Sequence, residues 1–237
     1  MLFELVSPPA APSVPVLTTS NIPSGAGGHR RQQETDETKS NCLDLLRRQT
    51  RTAHDATEAQ FAAFLSAPAS HLDSFLLTHL LAFEALSKAR IGPELPEENG
   101  CLPDMISRLR ADCDIRGLAV AKAPILLPLP SAAVAYLVIG SRLGTEVIRR
   151  KLIGVIPEAD LPHYFAPQGA NHDTARAWKA LRARLGAIPA DSVEATEICA
   201  GALRGFDAFA EADVIMRTTC GTGRTLPPSH IPATQES

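Results

Sequence analysis

Arg47, Arg51, His54 and Glu58 fall at steps of four, three and four, which on a helix makes them one ridge. Such a ridge holds an imidazole able to ligate a metal, a carboxylate one turn on, and two guanidinium groups one and two turns back. A ligating imidazole usually has its second ring nitrogen held by a carboxylate, carbonyl or water, and Glu58 is spaced to do that. The same spacing suits a hydrogen-bonded core histidine, the commoner role for a lone imidazole on a helix edge. About ninety residues later, Gly140 and Gly144 lie four apart and share a helical face with Tyr136. Each glycine inside a helix costs about 1 kcal/mol against alanine, so the pair asks for a reason. One reason is close helix–helix packing over small residues. The other is backbone that must approach a flat ligand with no side chain between, and kink there.

Both stretches need helices to present them, and the sequence supplies them. Leu43, Leu46, Thr50, Ala53, Thr57, Phe61 and Phe64 recur at steps of three and four, predicting a first helix from about 41 to 65 with His54 on the edge of its buried stripe. Ser70 to Asp73 resembles a capped, acidic helix start leading to about Lys88. Gly92, Pro93 and Pro96 break the chain, and a short helix follows Pro103 to about Arg116. Pro124, Pro128 and Pro130 make an extended connector into a long fourth helix from about Ser131 to Ile153, closed by Pro157 and Pro162. Asp173 to Leu185 is amphipathic, with Trp178, Leu181 and Leu185 on one side. Asp191 opens a last helix with Ile198, Ala202, Phe206 and Phe209 inward. No strand-like alternation appears. The expectation is an all-α single domain over residues 41–217, between a disordered leader (1–40) and a flexible tail (218–237).

The chain of 237 residues is 45% apolar, enough to fill a core, and only 5% aromatic. A net charge of −3 gives no bulk attraction to nucleic acid or anionic membrane. Five cysteines (Cys42, Cys101, Cys113, Cys199, Cys220) are scattered without a CxxC pair, which reads as reduced thiols rather than a disulfide framework. The amino-terminal Met-Leu-Phe-Glu-Leu-Val lacks the basic and long apolar regions of a secretory signal, and no uninterrupted apolar run of membrane-spanning length is evident. A cytoplasmic location is expected.

Together the two stretches resemble the heme oxygenases, especially the bacterial biliverdin-forming branch found beside bacteriophytochromes. That family's first helix carries a pattern like L-[KR]-x-x-T-[KR]-x-x-H-x-x-x-E, and here Leu46, Arg47, Thr50, Arg51, His54 and Glu58 match every fixed position. Its distal helix reads like Y-x-x-x-G-S-x-L-G-[GA], matched by Tyr136, Gly140, Ser141, Leu143 and Gly144. Trp178-Lys179 and Phe206-Asp-Ala-Phe209 are weaker echoes, and the likeness extends loosely from 42 to 216.

The resemblance implies a heme oxygenase-like multi-helix fold, with heme between the first and fourth helices and His54 as proximal iron ligand through neutral imidazole. Glu58 would orient His54. Arg47 and Arg51, with Lys179 and Arg182, would be candidates for the heme propionates; a solvated basic face is the alternative for any one of them. Tyr136, Arg142 and Phe209 would contact the cofactor. Gly140, Ser141, Gly144 and Thr145 would form the distal, catalytic side, where backbone crowding steers dioxygen to a meso carbon. Expected products are biliverdin, carbon monoxide and ferrous iron, with electrons from a separate reductase or ferredoxin and a bacteriophytochrome as biliverdin acceptor. Thr145 departs from the family's glycine or alanine, so it would narrow the pocket or offer a hydroxyl. Arg142 adds a cation at another helical angle. His71, His79, His163 and His172 have no motif context, and His79 reads as a core or surface residue inside the second helix. A heme or bilin carrier without turnover is the second reading.

Overall fold

The computed structural model describes residues 40–167 and 173–221. The expected leader, all of the tail beyond Gly221, and His172 lie outside the described residues. Seven α-helices account for most of the rest: α1 Cys42–Gln60, α2 Ala62–Ser66, α3 Pro68–Ala89, α4 Cys101–Ile115, α5 Ser131–Leu152, α6 Thr174–Gly186 and α7 Val193–Gly221. A two-residue parallel pair, β1 Arg90–Ile91 with β2 Leu129–Pro130, ties the two chain breaks together. The all-α expectation therefore holds for the described residues apart from this pair and an isolated bridge between Asn41 and Pro189. The predicted fourth helix is α5, because the predicted first helix is two.

That division occurs at Phe61, which leaves the helical path (φ −93°, ψ 6°) although no glycine or proline stands there. Asn41 opens α1 by accepting the Asp44 N–H. α3 begins at Pro68, earlier than the Ser70 start the sequence suggests, with proline in the first turn where its missing N–H costs nothing. Likewise Pro103 lies inside the first turn of α4 rather than before it. α7 continues to Gly221, past the point where the tail was expected to begin.

α5 is the axle. One side (Ala133, Ala135, Ile139) enters a core with Cys42 and Leu46 of α1, Trp178 and Leu181 of α6, and Ile198 and Ala202 of α7. The other (Val134, Leu137, Val138, Ile148) enters a larger core with α3, α4 and the second half of α7. Phe75 to Leu86 of α3 are buried without interruption, so this helix is apolar all round rather than amphipathic. α5 is long and apolar enough to cross a membrane by length and composition alone, but 61% of its apolar window is buried inside the fold.

Close packing against α5 is made by α7. A Cβ on Gly201 would lie 2.8 Å from Pro130 Cδ and 3.0 Å from Ala133 Cβ, and one on Gly205 would lie 2.1 Å from Leu137 Cδ1. Gly201→Ala should therefore destabilise the protein by about 1–2 kcal/mol despite alanine's better helix propensity, since a proline ring cannot swing aside. Urea unfolding of the variant measures this, and a stabilised Gly201→Ala protein would contradict the packing described.

Candidate functional site

α1, α3, α5 and α7 enclose a cleft lined by His54, Thr57, Glu58 and Phe61 from α1 and its end, Phe75 and His79 from α3, Tyr136, Ser141, Gly144 and Thr145 from α5, and Phe206 and Phe209 from α7. His54 and Glu58 of the first-helix ridge and Tyr136 and Gly144 of the long helix thus share one cavity, of about 90 Å³.

His54 is mostly covered, its side chain 18% exposed, with the Phe206 ring edge-on at 6.0 Å between centroids. Its Nε2 lies 3.7 Å from Glu58 Oε1 and its Nδ1 3.7 Å from Asp55 Oδ1. Each ring nitrogen therefore has a carboxylate beside it, and rotating the ring by a half-turn exchanges which nitrogen faces Glu58. Asp55 is an addition that the helical ridge did not single out, because it stands one position off it.

Tyr136 is hydrogen-bonded through its hydroxyl to the Thr50 side chain, and burial pushes its pKa up. Its ring tilts against Trp178 of α6 at 5.6 Å. Thr145 is buried, and its hydroxyl donates to the Ser141 carbonyl at 2.9 Å. With its only proton so used, it accepts from the Tyr164 hydroxyl at 3.0 Å. The expected free hydroxyl is thus committed to protein groups, and what Thr145 brings to the cleft is mainly its methyl-bearing bulk.

Two expectations on α5 are corrected. Arg142 is 1% exposed and does not line the cleft: its Nη1 donates to the Tyr164 carbonyl at 3.1 Å and its Nη2 to the Ala166 carbonyl at 3.2 Å. The reason is angular, since Arg142 sits one residue past Ser141 and points to the turn behind it. Gly140 is buried in α5 but is not among the lining residues, a full turn before Gly144. The four remaining cations sit outside the lining. Arg47 lies 3.8 Å from Asp44 and Arg51 3.9 Å from Asp55. Lys179 is exposed on α6, and the half-buried Arg182 has no hydrogen-bond partner for its Nε among the described residues. Phe209 is buried in the cleft wall, as the inward pattern of the last helix predicts.

Sequence reasoning missed the support beneath the cleft. Residues 163–165 form a 3-10 turn held from both ends. Asp112, buried on α4, accepts the backbone N–H groups of His163 (2.7 Å) and Tyr164 (2.8 Å), and Arg142 takes the carbonyls. Pro162 signals the turn, but nothing local signals Asp112, fifty residues away.

His79, expected to be a core or surface residue, is a core residue of α3 that also edges the cleft. Its imidazole is 7% exposed and packs on the rings of Phe75 (3.8 Å) and Phe61 (4.6 Å), with Tyr164, Phe83 and Phe209 around it. Burial lowers its pKa to about 4, only partly opposed by the hydrogen bond to the Phe75 carbonyl. Tyr164 is the one other titratable group against it, while His54 and Glu58 lie elsewhere along the same cleft. The unfolded chain takes a proton on this imidazole near pH 6.5, the folded protein only near pH 4. Stability from His79 is therefore intact above pH 6.5 and lost as pH falls to 4, about 3 kcal/mol in all. Urea unfolding at pH 7.5 and 4.5 should show this slope, and His79→Leu should lack it.

Comparison with protein-family models gives no match, and searches of curated proteins and of solved structures likewise give none. What the fold and cleft define is a helical protein with an aromatic-walled cavity between α1, α3, α5 and α7 that two histidines, His54 and His79, line.

The donor set suits a heme. A mostly covered imidazole with carboxylates beside both nitrogens can serve as a neutral axial ligand. Facing helix backbone at Gly144 carries no side chain, and phenylalanine walls give the dry surroundings a porphyrin needs. Size is the constraint: pockets for ligands of drug size or larger run to roughly 300–1,000 Å³, so α1 and α5 must part to admit one.

Proposed function

We propose that the protein is a heme oxygenase, converting heme with dioxygen and external electrons to biliverdin, carbon monoxide and ferrous iron. The observation that carries this reading is the shared cleft, with His54 and Glu58 of α1 on one side and Ser141, Gly144 and Thr145 of α5 on the other.

When bound, heme supplies the iron centre for oxygen chemistry and, through its own porphyrin, the carbon that is oxidised. His54 would be the residue to hold the iron, and Glu58 or Asp55 would keep its ring in one orientation and tautomer. Gly144 and Ser141 would offer backbone to the bound group, and the Thr145 side chain would limit the room beside them. Phe61, Phe75, Phe206 and Phe209 exclude bulk water, which strengthens every polar interaction inside. Arg47, Arg51 and Lys179 are the candidates to pair with the propionates at the rim. A reductase or ferredoxin supplies electrons, and a bacteriophytochrome is the proposed acceptor of the product.

Adding hemin to the purified protein should give a saturable Soret band at one heme per chain, and ascorbate in air should then bleach it. Absence of any heme complex would sink this reading. A non-catalytic heme or bilin carrier is the second reading, favoured by the small cavity and by Thr145, whose hydroxyl is already engaged. It predicts a heme complex that persists under reductant and oxygen.

A further inference from the structure

The apolar end of the cleft contains one polar atom that the oxygenase reading does not use. His79 Nδ1 lies 2.9 Å from the Phe75 carbonyl, one turn back on α3. A carbonyl can only accept, so Nδ1 carries the proton of the neutral ring and Nε2 is left as a bare lone pair. Among the described residues Nε2 has no hydrogen-bond partner. The ring lines the cleft, 93% buried, among Phe61, Phe75, Phe83, Phe209 and Tyr164. The one hydroxyl in that set, Tyr164, is spent on Thr145. Nε2 is not one of the fully buried unpartnered atoms among the described residues, so it opens on the cavity, where an occupant carrying a donor can reach it.

Heme has no donor to offer there. Its four nitrogens are bound to iron, its rim is carbon and hydrogen, and its carboxylates are acceptors at neutral pH. An open-chain tetrapyrrole is different: ring opening and loss of iron leave pyrrole and lactam N–H groups. We infer that His79 is the bilin-recognising residue of the cleft, its Nε2 accepting an N–H from an open-chain tetrapyrrole that the iron-bound macrocycle cannot provide. This rests on the tetrapyrrole reading of the cleft and deepens it. His79 then acts after ring opening, holding product rather than ligating iron, and it sets how long bilin stays bound. No bond to the protein forms or breaks.

The test is equilibrium binding of biliverdin and, separately, hemin to the full chain, wild type against His79→Leu and His79→Gln. Loss of the acceptor should weaken biliverdin binding about tenfold, in keeping with a hydrogen bond made in a dry site, while hemin affinity moves less than about threefold. Gln restores an acceptor oxygen and should recover most of the biliverdin affinity. If His79→Leu does not fold, nitrogen-15 histidine labelling of the wild type reads the same contact: the Nε2 resonance should shift with biliverdin and stay in place with hemin analogues lacking a paramagnetic metal. Equal losses for both ligands, an unmoved Nε2 resonance, or no biliverdin binding would overturn the inference. Biliverdin binding that depends on His79 in a protein that leaves heme intact would uphold it while removing the oxygenase reading.

Discussion

His54→Ala is expected to remove the histidine-ligated heme spectrum and to lower heme turnover at least about 100-fold. An outer-shell partner of a metal ligand is typically worth 10–100-fold, so loss of the ligand itself should lie at or beyond the upper end of that range. The fold should survive, because His54 touches one ring edge-on at 6.0 Å and its side chain is partly exposed. Added imidazole should enter the space left by the side chain and restore the Soret position, separating ligand loss from general damage. Glu58→Gln should cost about tenfold, its effect softened because Asp55 stands beside the other ring nitrogen at 3.7 Å. A His54→Ala protein with an unchanged heme spectrum would remove the ligand role altogether.

Arg142→Met should be the most destabilising single change on α5, at about 3–5 kcal/mol. Two charge-assisted bonds to the Tyr164 and Ala166 carbonyls are lost, each worth roughly 1.5–3 kcal/mol. Both carbonyls then need new partners, though Arg108, which reaches the Ala166 carbonyl at 3.2 Å, keeps one of them satisfied. Lys at 142 should recover only part of the loss, since a single ammonium cannot span two carbonyls as the guanidinium fork does. Because Tyr164 also donates to Thr145, loosening the turn should change the cleft, seen as a shifted heme spectrum as well as a lowered urea midpoint. Wild-type stability in Arg142→Met would refute this account of the turn.

The helical character of the chain was legible because the prolines and the three-four spacing of apolar residues report local preferences that packing does not override. Helix ends were read less well. A proline between helical stretches reads as a boundary, yet proline is at home in a first turn, as Pro68 and Pro103 show here. The break at Phe61 has no local signal, since neither glycine nor proline stands there. Gly140 and Gly144 drew attention as the unusual glycines of the long helix, whereas the tightest approach to that helix is made by Gly201 and Gly205 of α7, whose significance depends on what lies opposite.

For the cleft, the ridge at His54 and the face at Gly144 were visible because each is a periodicity within one helix. Arg142 was assigned to the same group by nearness in sequence, and a rotation of one residue, about 100°, sent it elsewhere. His79 reads from the sequence only as a core or surface residue, because a histidine within an apolar run looks the same whether it fills a core or edges a cavity. Only its neighbours distinguish the two, and they come from α1, α7 and the 3-10 turn at 163–165.

The measurement closest to the central claim is a single-turnover reaction: heme-loaded protein, an electron donor and air, with carbon monoxide and the visible spectrum followed together. The oxygenase account predicts about one carbon monoxide released per heme, loss of the Soret band and growth of a broad red absorption, all suppressed in His54→Ala. An intact Soret band with no carbon monoxide would contradict it and leave the cleft as a carrier site.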